Sequence, residues 1–221
     1  MNTLLNAPLA PLLDQLFAEA EAADAPFRAQ LRAATPAERD GMLLRAQTDY
    51  RGFYGLAKDM FLPVSRETGR LLYLLARATK AKQVVEFGTS FGLSTLHLCA
   101  ALKDNGGGKL IGSEFEPAKV ARAQENLRRA ELADYADIRC GDALETLARD
   151  LPESVDLLLL DGAKVLYPRI LSLIESKLHA GSLVLADNAD HNPEFLAYVR
   201  AAKNGYVSVP FAEDVELFMR A

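Results

Sequence analysis

The chain has no tryptophan, two cysteines and three histidines among 221 residues. A zinc site needs Cys and His clustered at ligand spacing, and Cys99 and Cys140 have no such partners nearby. Both sit in apolar surroundings, and the expectation is two buried free thiols. Any aromatic wall around a ligand must come from Phe or Tyr, with Phe53, Tyr54, Phe61 and Tyr167 as candidates that double as core residues. No long basic run occurs and the net charge is −5, so nucleic acid is not an expected partner. No uninterrupted apolar run is long enough to span a membrane. The opening MNTLLNAPLAPLLDQLF lacks a basic start and contains Pro8 and Pro11, so a secretory leader is not expected either. The expected location is the cytoplasm.

What is present is 50% hydrophobic content, enough for one well-cored domain. Residues 1–80 read as helices. Leu12, Leu13, Leu16 and Phe17 recur at helical spacing. Thr35-Pro36 with Glu38 reads as a capped start, and a third helix follows from about Ser65 with Leu71, Leu72, Leu74 and Leu75. From residue 83 the pattern alternates strand and helix. The strands are VVEF, KLIGSEF, ADIRCGD, VDLLLLDG and SLVLADN. The stretches YVSVPFA and VELFMRA, separated by Glu213 and Asp214, read as a closing antiparallel hairpin. Repeated β-α units imply a doubly wound, mostly parallel α/β sheet, which binds ligands beyond the carboxyl ends of its strands. Those ends carry Glu86, Glu114, Asp142, Asp161, Asp187 and Asn188, an acidic ring.

The first turn, EFGTSFG, has the form E-x-G-x-x-x-G and lacks the third glycine of a dinucleotide turn. Gly88 and Gly92 permit close backbone approach, while a Glu86 carboxylate facing the crevice would disfavour pyrophosphate and suit a cation. S-adenosylmethionine has a sulfonium and no phosphate. Glu114 at the second strand end could accept both ribose hydroxyls, and Asp142 at the third could take the adenine amine, although alone it also reads as the N-cap of ALETLARDL. Asp161, Asp187 and Asn188 are hard oxygen ligands of the kind that suit Mg²⁺ or another divalent cation. Lys164, three residues past Asp161, could then remove a proton from an acceptor hydroxyl if its pKa were depressed. Standing alone, Lys164 would be a surface lysine and Asp187-Asn188 a turn pair.

These segments resemble the cation-dependent O-methyltransferases, the group of catechol and caffeoyl-CoA O-methyltransferases. DGAKVLYPRIL resembles that group's D-x-x-K-x-x-Y segment, VVEFGTSFGLST its S-adenosylmethionine turn, and LADN its metal-binding pair, over roughly residues 60–221. The resemblance implies a Rossmann-like seven-stranded sheet with the last strand antiparallel. It implies Asp161, Asp187 and Asn188 as metal ligands and Lys164 as the catalytic lysine. It also implies a cofactor site at Glu86, Gly88, Thr89, Ser94, Glu114, Gly141, Asp142, Ala143 and Asp161. The chain departs from the pattern at Gly162 and Ala163, where catechol methyltransferase has ring-bearing side chains, so a ring contact is expected to be missing. The acceptor would be a small molecule with a hydroxyl, one of a vicinal pair on an aromatic ring. The whole chain reads as one domain, residues 81–221 as cofactor-binding core and 1–80 as a helical cap with apolar residues to spare, which suggests a homodimer. His191, in the polar loop after Asn188, reads as a loop residue or a substrate group. The other readings are a metal-independent methyltransferase, a nicotinamide-dependent oxidoreductase and a non-catalytic binding domain.

Overall fold

A computed structural model describes residues 2–211 and 214–221. Four helices come first: α1 (Leu9–Ala33), α2 (Pro36–Thr48), α3 (Tyr50–Leu56) and α4 (Arg66–Ala78). Helix α2 starts as expected. Thr35 accepts from the Glu38 backbone N–H while the Glu38 side chain accepts from that of Thr35, with Pro36 in the first turn where no donor is needed. Ser65 caps α4 in the same manner through Thr68. Of the Leu residues assigned to α4, Leu72 is buried and Leu74 faces solvent.

Then follow β1 (Gln83–Phe87), α5 (Leu93–Asp104), β2 (Lys109–Glu114), α6 (Pro117–Arg129), β3 (Ala136–Cys140), α7 (Ala143–Thr146), β4 (Val155–Leu160), α8 (Tyr167–Ile174), β5 (Leu178–Ala186), α9 (Pro193–Arg200), β6 (Tyr206–Phe211) and β7 (Val215–Arg220). The seven strands form one sheet in the order β3-β2-β1-β4-β5-β7-β6. β1 to β5 pair in parallel, and β7 runs antiparallel to both β5 and β6, as a closing hairpin requires. Glu213, placed by the sequence reading between the hairpin strands, lies outside the described residues. The order reverses between β1 and β4, which opens the crevice where such sheets bind ligands.

Period-two alternation divides the core into two layers. Val84, Leu157 and Leu159 pack with α1, α4, α5 and α6 on one face, whereas Val85, Leu158 and Leu160 pack with α8 and α9 on the other. That is why VDLLLL is apolar throughout. One thiol departs from expectation. Cys99 is buried in α5, but Cys140 is exposed, because β3 is an edge strand and Cys140 is its last residue. Among the described residues no helix is long and apolar enough to cross a membrane.

Candidate active site

The turn after β1 is built on unusual backbone. Gly88, Ser90 and Gly92 all have positive φ, at 98°, 48° and 88°. At Gly88 a Cβ would lie 2.6 Å from the backbone of Asp161 and Gly162, so this glycine lets the ends of β1 and β4 touch. Glu86 does not face the crevice as its position in the motif suggested. It is fully buried beneath the turn, where its carboxylate accepts from Thr89 Oγ1 at 2.8 Å, Ser94 Oγ at 2.7 Å and Thr95 Oγ1 at 2.6 Å. The turn curls back over the strand end and brings the first hydroxyls of α5 down onto it. Burial pushes the Glu86 carboxyl pKa up against the three hydroxyls that favour its charge. Glu86 thus shapes the turn from below, with Thr89 and Ser94 as its partners.

An open cleft lies beyond the strand ends. Glu114 lines it, its Oε2 accepting from the Ser90 N–H at 2.8 Å and its Oε1 from the Glu116 N–H at 2.9 Å. Each oxygen keeps a lone pair for a ligand. Gly141, Asp142 and Ala143 line the same cleft. Asp142 caps α7 through Leu144 N at 2.9 Å and forms an ion pair with Arg51 from α3. Tyr50, Arg51 and Tyr54 bring α3 over the cleft; Tyr54 is one of the aromatic wall candidates read from the sequence, whereas Tyr50 and Arg51 are not. Phe61 and Leu62 add to it. Their backbone N–H groups donate to the buried Asp24 carboxylate of α1 at 2.8 and 2.9 Å, and the Phe61 ring stacks on Phe91 with centroids 4.1 Å apart.

Asp161, Lys164 and Asp187 meet at the ends of β4 and β5. Lys164 Nζ donates to Asp161 Oδ1 at 3.0 Å, with only 14% and 9% of the two side chains exposed. Asp187 lies beside this pair; burial and the Asp161 charge push its carboxyl up to about 8. The sequence reading wanted a depressed Lys164 pKa. Burial does act to lower it, but Tyr167, Asp161, Asp187 and Tyr54 outweigh burial and hold it well above the ordinary value. In this arrangement Lys164 is an ammonium paired to a carboxylate. Tyr167, fully buried, donates to the carbonyls of Leu160 and Asp187 at 2.7 Å each and so fastens the two strand ends together. It is a structural tie and not part of an open aromatic wall. Asn188 follows in a left-handed conformation and turns its amide N–H to Asp214 Oδ2 at 3.0 Å. His191 lies in the exposed loop turn beyond it.

The ring contact expected to be missing at Gly162 has a substitute. A Cβ on Gly162 would strike the Phe87 ring, with two ring carbons at 2.6 Å, so Phe87 from β1 fills the space a side chain at 162 would take. Phe87 lines the cleft beside Ala163.

Residues 85–189 match the model of a methyltransferase domain. The chain is 35% identical to a catechol O-methyltransferase of Niastella koreensis over 130 residues, 58% of either chain. It is 30% identical to a catechol O-methyltransferase of Mycobacterium tuberculosis over 136 residues, 62% of this chain and 61% of that one. The match thus spans about three fifths of these curated relatives. Among solved structures, an O-methyltransferase from Bacillus cereus in complex with SAH shares the fold, with a TM-score of 0.65 at 20% identity over 90% of this chain and 99% of that one. A methyltransferase from Geobacter sulfurreducens has a TM-score of 0.62 at 25% identity over 89% and 96%. The resemblance read from the motifs therefore holds: residues 85–189 are similar to a methyltransferase domain, and the sheet shares the fold of solved methyltransferases.

Proposed function

We propose that the protein is an S-adenosylmethionine-dependent O-methyltransferase acting on a small acceptor with vicinal aromatic hydroxyls, assisted by a divalent cation such as Mg²⁺. The observation that carries this reading is that Asp161 lines one cleft with Glu114 and the Gly141–Ala143 loop, while Lys164 and Asp187 meet it at the ends of β4 and β5. Glu114 would hold the ribose, Gly141–Ala143 the adenine side, and Gly88 with Ser94 the methionine end. Asp161, Asp187 and Asn188 would hold the cation. Their donor set fits: two largely desolvated carboxylates whose charges oppose each other are the environment a divalent cation relieves. Such a cation, when bound, would supply positive charge that favours the ionised form of an acceptor hydroxyl. Paired with Asp161, Lys164 is an ammonium; it would serve as the base for the hydroxyl proton only in its amine form, which neutralisation of the two carboxylates by a bound cation would favour. The acceptor oxygen would form its bond to the methyl carbon as the carbon–sulfur bond breaks. Most of the acceleration would come from positioning and charge, since the methyl donor is already activated.

A metal-independent methyltransferase on the same fold is the second reading. It draws on Lys164 already neutralising Asp161, on the Asn188 amide engaged with Asp214, and on the lack of any metal-holding group of three or more His, Cys, Asp or Glu among the described residues. A homodimer belongs to the proposal as well, supported by Val207, Val209 and Phe211 exposed along edge strand β6. Calorimetric titration with S-adenosylhomocysteine and with NAD tests the cofactor, and binding of NAD alone would overturn the reading. A panel of dihydroxy-aromatic acceptors with Mg²⁺ or with EDTA tests the chemistry. Activity is expected to vanish in EDTA and return with Mg²⁺; full activity in chelator would leave the metal-independent reading.

A further inference from the structure

Lys119, in the first turn of α6, is only 7% exposed and lines the cleft. Among the described residues it forms no ion pair within 4.0 Å. Its one hydrogen bond is a long one, from Nζ to Ser90 Oγ at 3.3 Å, and its ammonium lies 5.3 Å from the centre of the Phe91 ring. An ammonium has three protons to donate, and a desolvated one that donates a single weak bond is costly. A cation in the first turn of a helix also opposes the helix dipole. Burial draws the Lys119 pKa down although Glu114, Asp24, Glu116 and Asp59 all pull it up. Nothing in the packing requires a charge here.

Its position suggests what the charge is for. Ser90 joins two cleft residues, because its backbone N–H donates to Glu114 Oε2 at 2.8 Å and its hydroxyl accepts from Lys119. A carboxylate with free lone pairs and an ammonium with free protons thus flank Ser90, in the turn after β1. A vicinal diol is complementary to that pair. Its hydroxyls donate to the carboxylate, and their oxygens accept from the ammonium.

We propose that Lys119 is the hydrogen-bond donor of the ribose site, acting with Glu114 to make the cleft selective for an adenosyl ligand with its ribose hydroxyls intact. The assignment rests on the reading of the cleft as an S-adenosylmethionine site and adds the residue that reads the sugar oxygens. It is a selectivity residue for the cofactor and takes no part in proton transfer.

The test is calorimetric titration of the full chain with S-adenosylhomocysteine and with its 2′-deoxy and 3′-deoxy forms, for wild type, K119M and K119R. Met keeps the stem that packs on Phe91 and removes the charge. K119M should bind S-adenosylhomocysteine roughly ten- to a hundredfold more weakly, as loss of a charged hydrogen bond implies. For one of the two deoxy forms, the penalty seen in wild type should largely disappear in K119M, and K119R should recover it in part. Without ligand K119M should melt no lower than wild type, since an uncompensated charge has been removed. Equal deoxy penalties in wild type and K119M would overturn the assignment, the more plainly if ligand-free K119M also melts lower. Failure of wild type to bind S-adenosylhomocysteine at all would overturn the adenosyl reading itself and the assignment with it.

Discussion

Replacing Lys164 removes both the proposed base and the cation that neutralises Asp161, and the two losses can be separated. Lys164→Met leaves Asp161 and Asp187 facing each other with side chains that are largely or wholly out of solvent. Breaking a buried ion pair costs roughly 3–5 kcal/mol. The loss should fall at the lower end of that range, because Asp187 already titrates at about 8 and can keep a proton near neutrality. The sign follows from linkage. A carboxyl whose pKa is raised on folding stabilises the fold while protonated and loses that contribution as pH rises, so metal-free Lys164→Met should regain stability between pH 8 and 6. Lys164→Arg restores the charge but cannot serve as a base, since a guanidinium does not give up its proton in this range. Urea unfolding at pH 6, 7 and 8 should then show Arg well above Met in stability. Initial rates with saturating S-adenosylmethionine should fall for both by roughly 10²–10⁴-fold. Turnover of Lys164→Arg close to wild type would refute the base assignment, and unchanged stability of Lys164→Met would refute the buried pair.

Two further outcomes depend on packing. His97 is 3% exposed, its Nδ1–H donates to the Leu93 carbonyl at 2.8 Å, and burial lowers its pKa from 6.5 to about 4. It stays neutral in the fold and protonates in the unfolded chain, so stability should fall by about 3 kcal/mol as pH drops from 6.5 to 4. Urea midpoints of wild type and His97→Gln compared across that range isolate this contribution from the carboxylates, and parallel curves would refute it. Gly162→Ala should cost about 1–3 kcal/mol and weaken S-adenosylhomocysteine binding, because the new methyl displaces Phe87 toward the cleft. Phe87→Leu in the same chain should recover most of both in melting and calorimetry; strictly additive losses would show that the two residues do not share that space.

The strand ends were legible because a parallel sheet must terminate its buried apolar runs somewhere, and polar residues directly after LLLL or LVLA can only sit at the carboxyl edge. Asp161, Asp187 and Glu114 were found this way. The same logic misplaced Glu86. It is the penultimate residue of β1, one short of the strand end that Glu114 occupies in β2, and its pleat carries it under the turn to the hydroxyls of Thr89, Ser94 and Thr95. Arg51 left no comparable signal, and Tyr54 was legible only as one of several aromatics that double as core residues. Helices α2 and α3 bury no residue fully, so no apolar stripe marks which face looks into the cleft. Arg51 has meaning only through Asp142, 91 positions away, a pairing that periodicity does not encode.

The substitute at Gly162 shows how far a local motif can mislead. Within DGAK the small residues imply an empty place where a ring should be. The space is filled from β1, whose Phe87 backbone carbonyl accepts from Asp161 N at 2.8 Å, so the two strands bring ring and gap together by register alone. A glycine that reads as a loss in one segment is a steric requirement of another. Lys119 follows the same rule. As the third residue of a helix it looks like solvated surface, and only the β1–α5 turn, through Ser90, sets it beside Glu114. What a residue does in this cleft is decided by the neighbouring β-α unit as much as by its own. Single-segment motifs therefore point to the strand ends, while the contacts that bring Lys119 and Phe87 to the cleft run between segments.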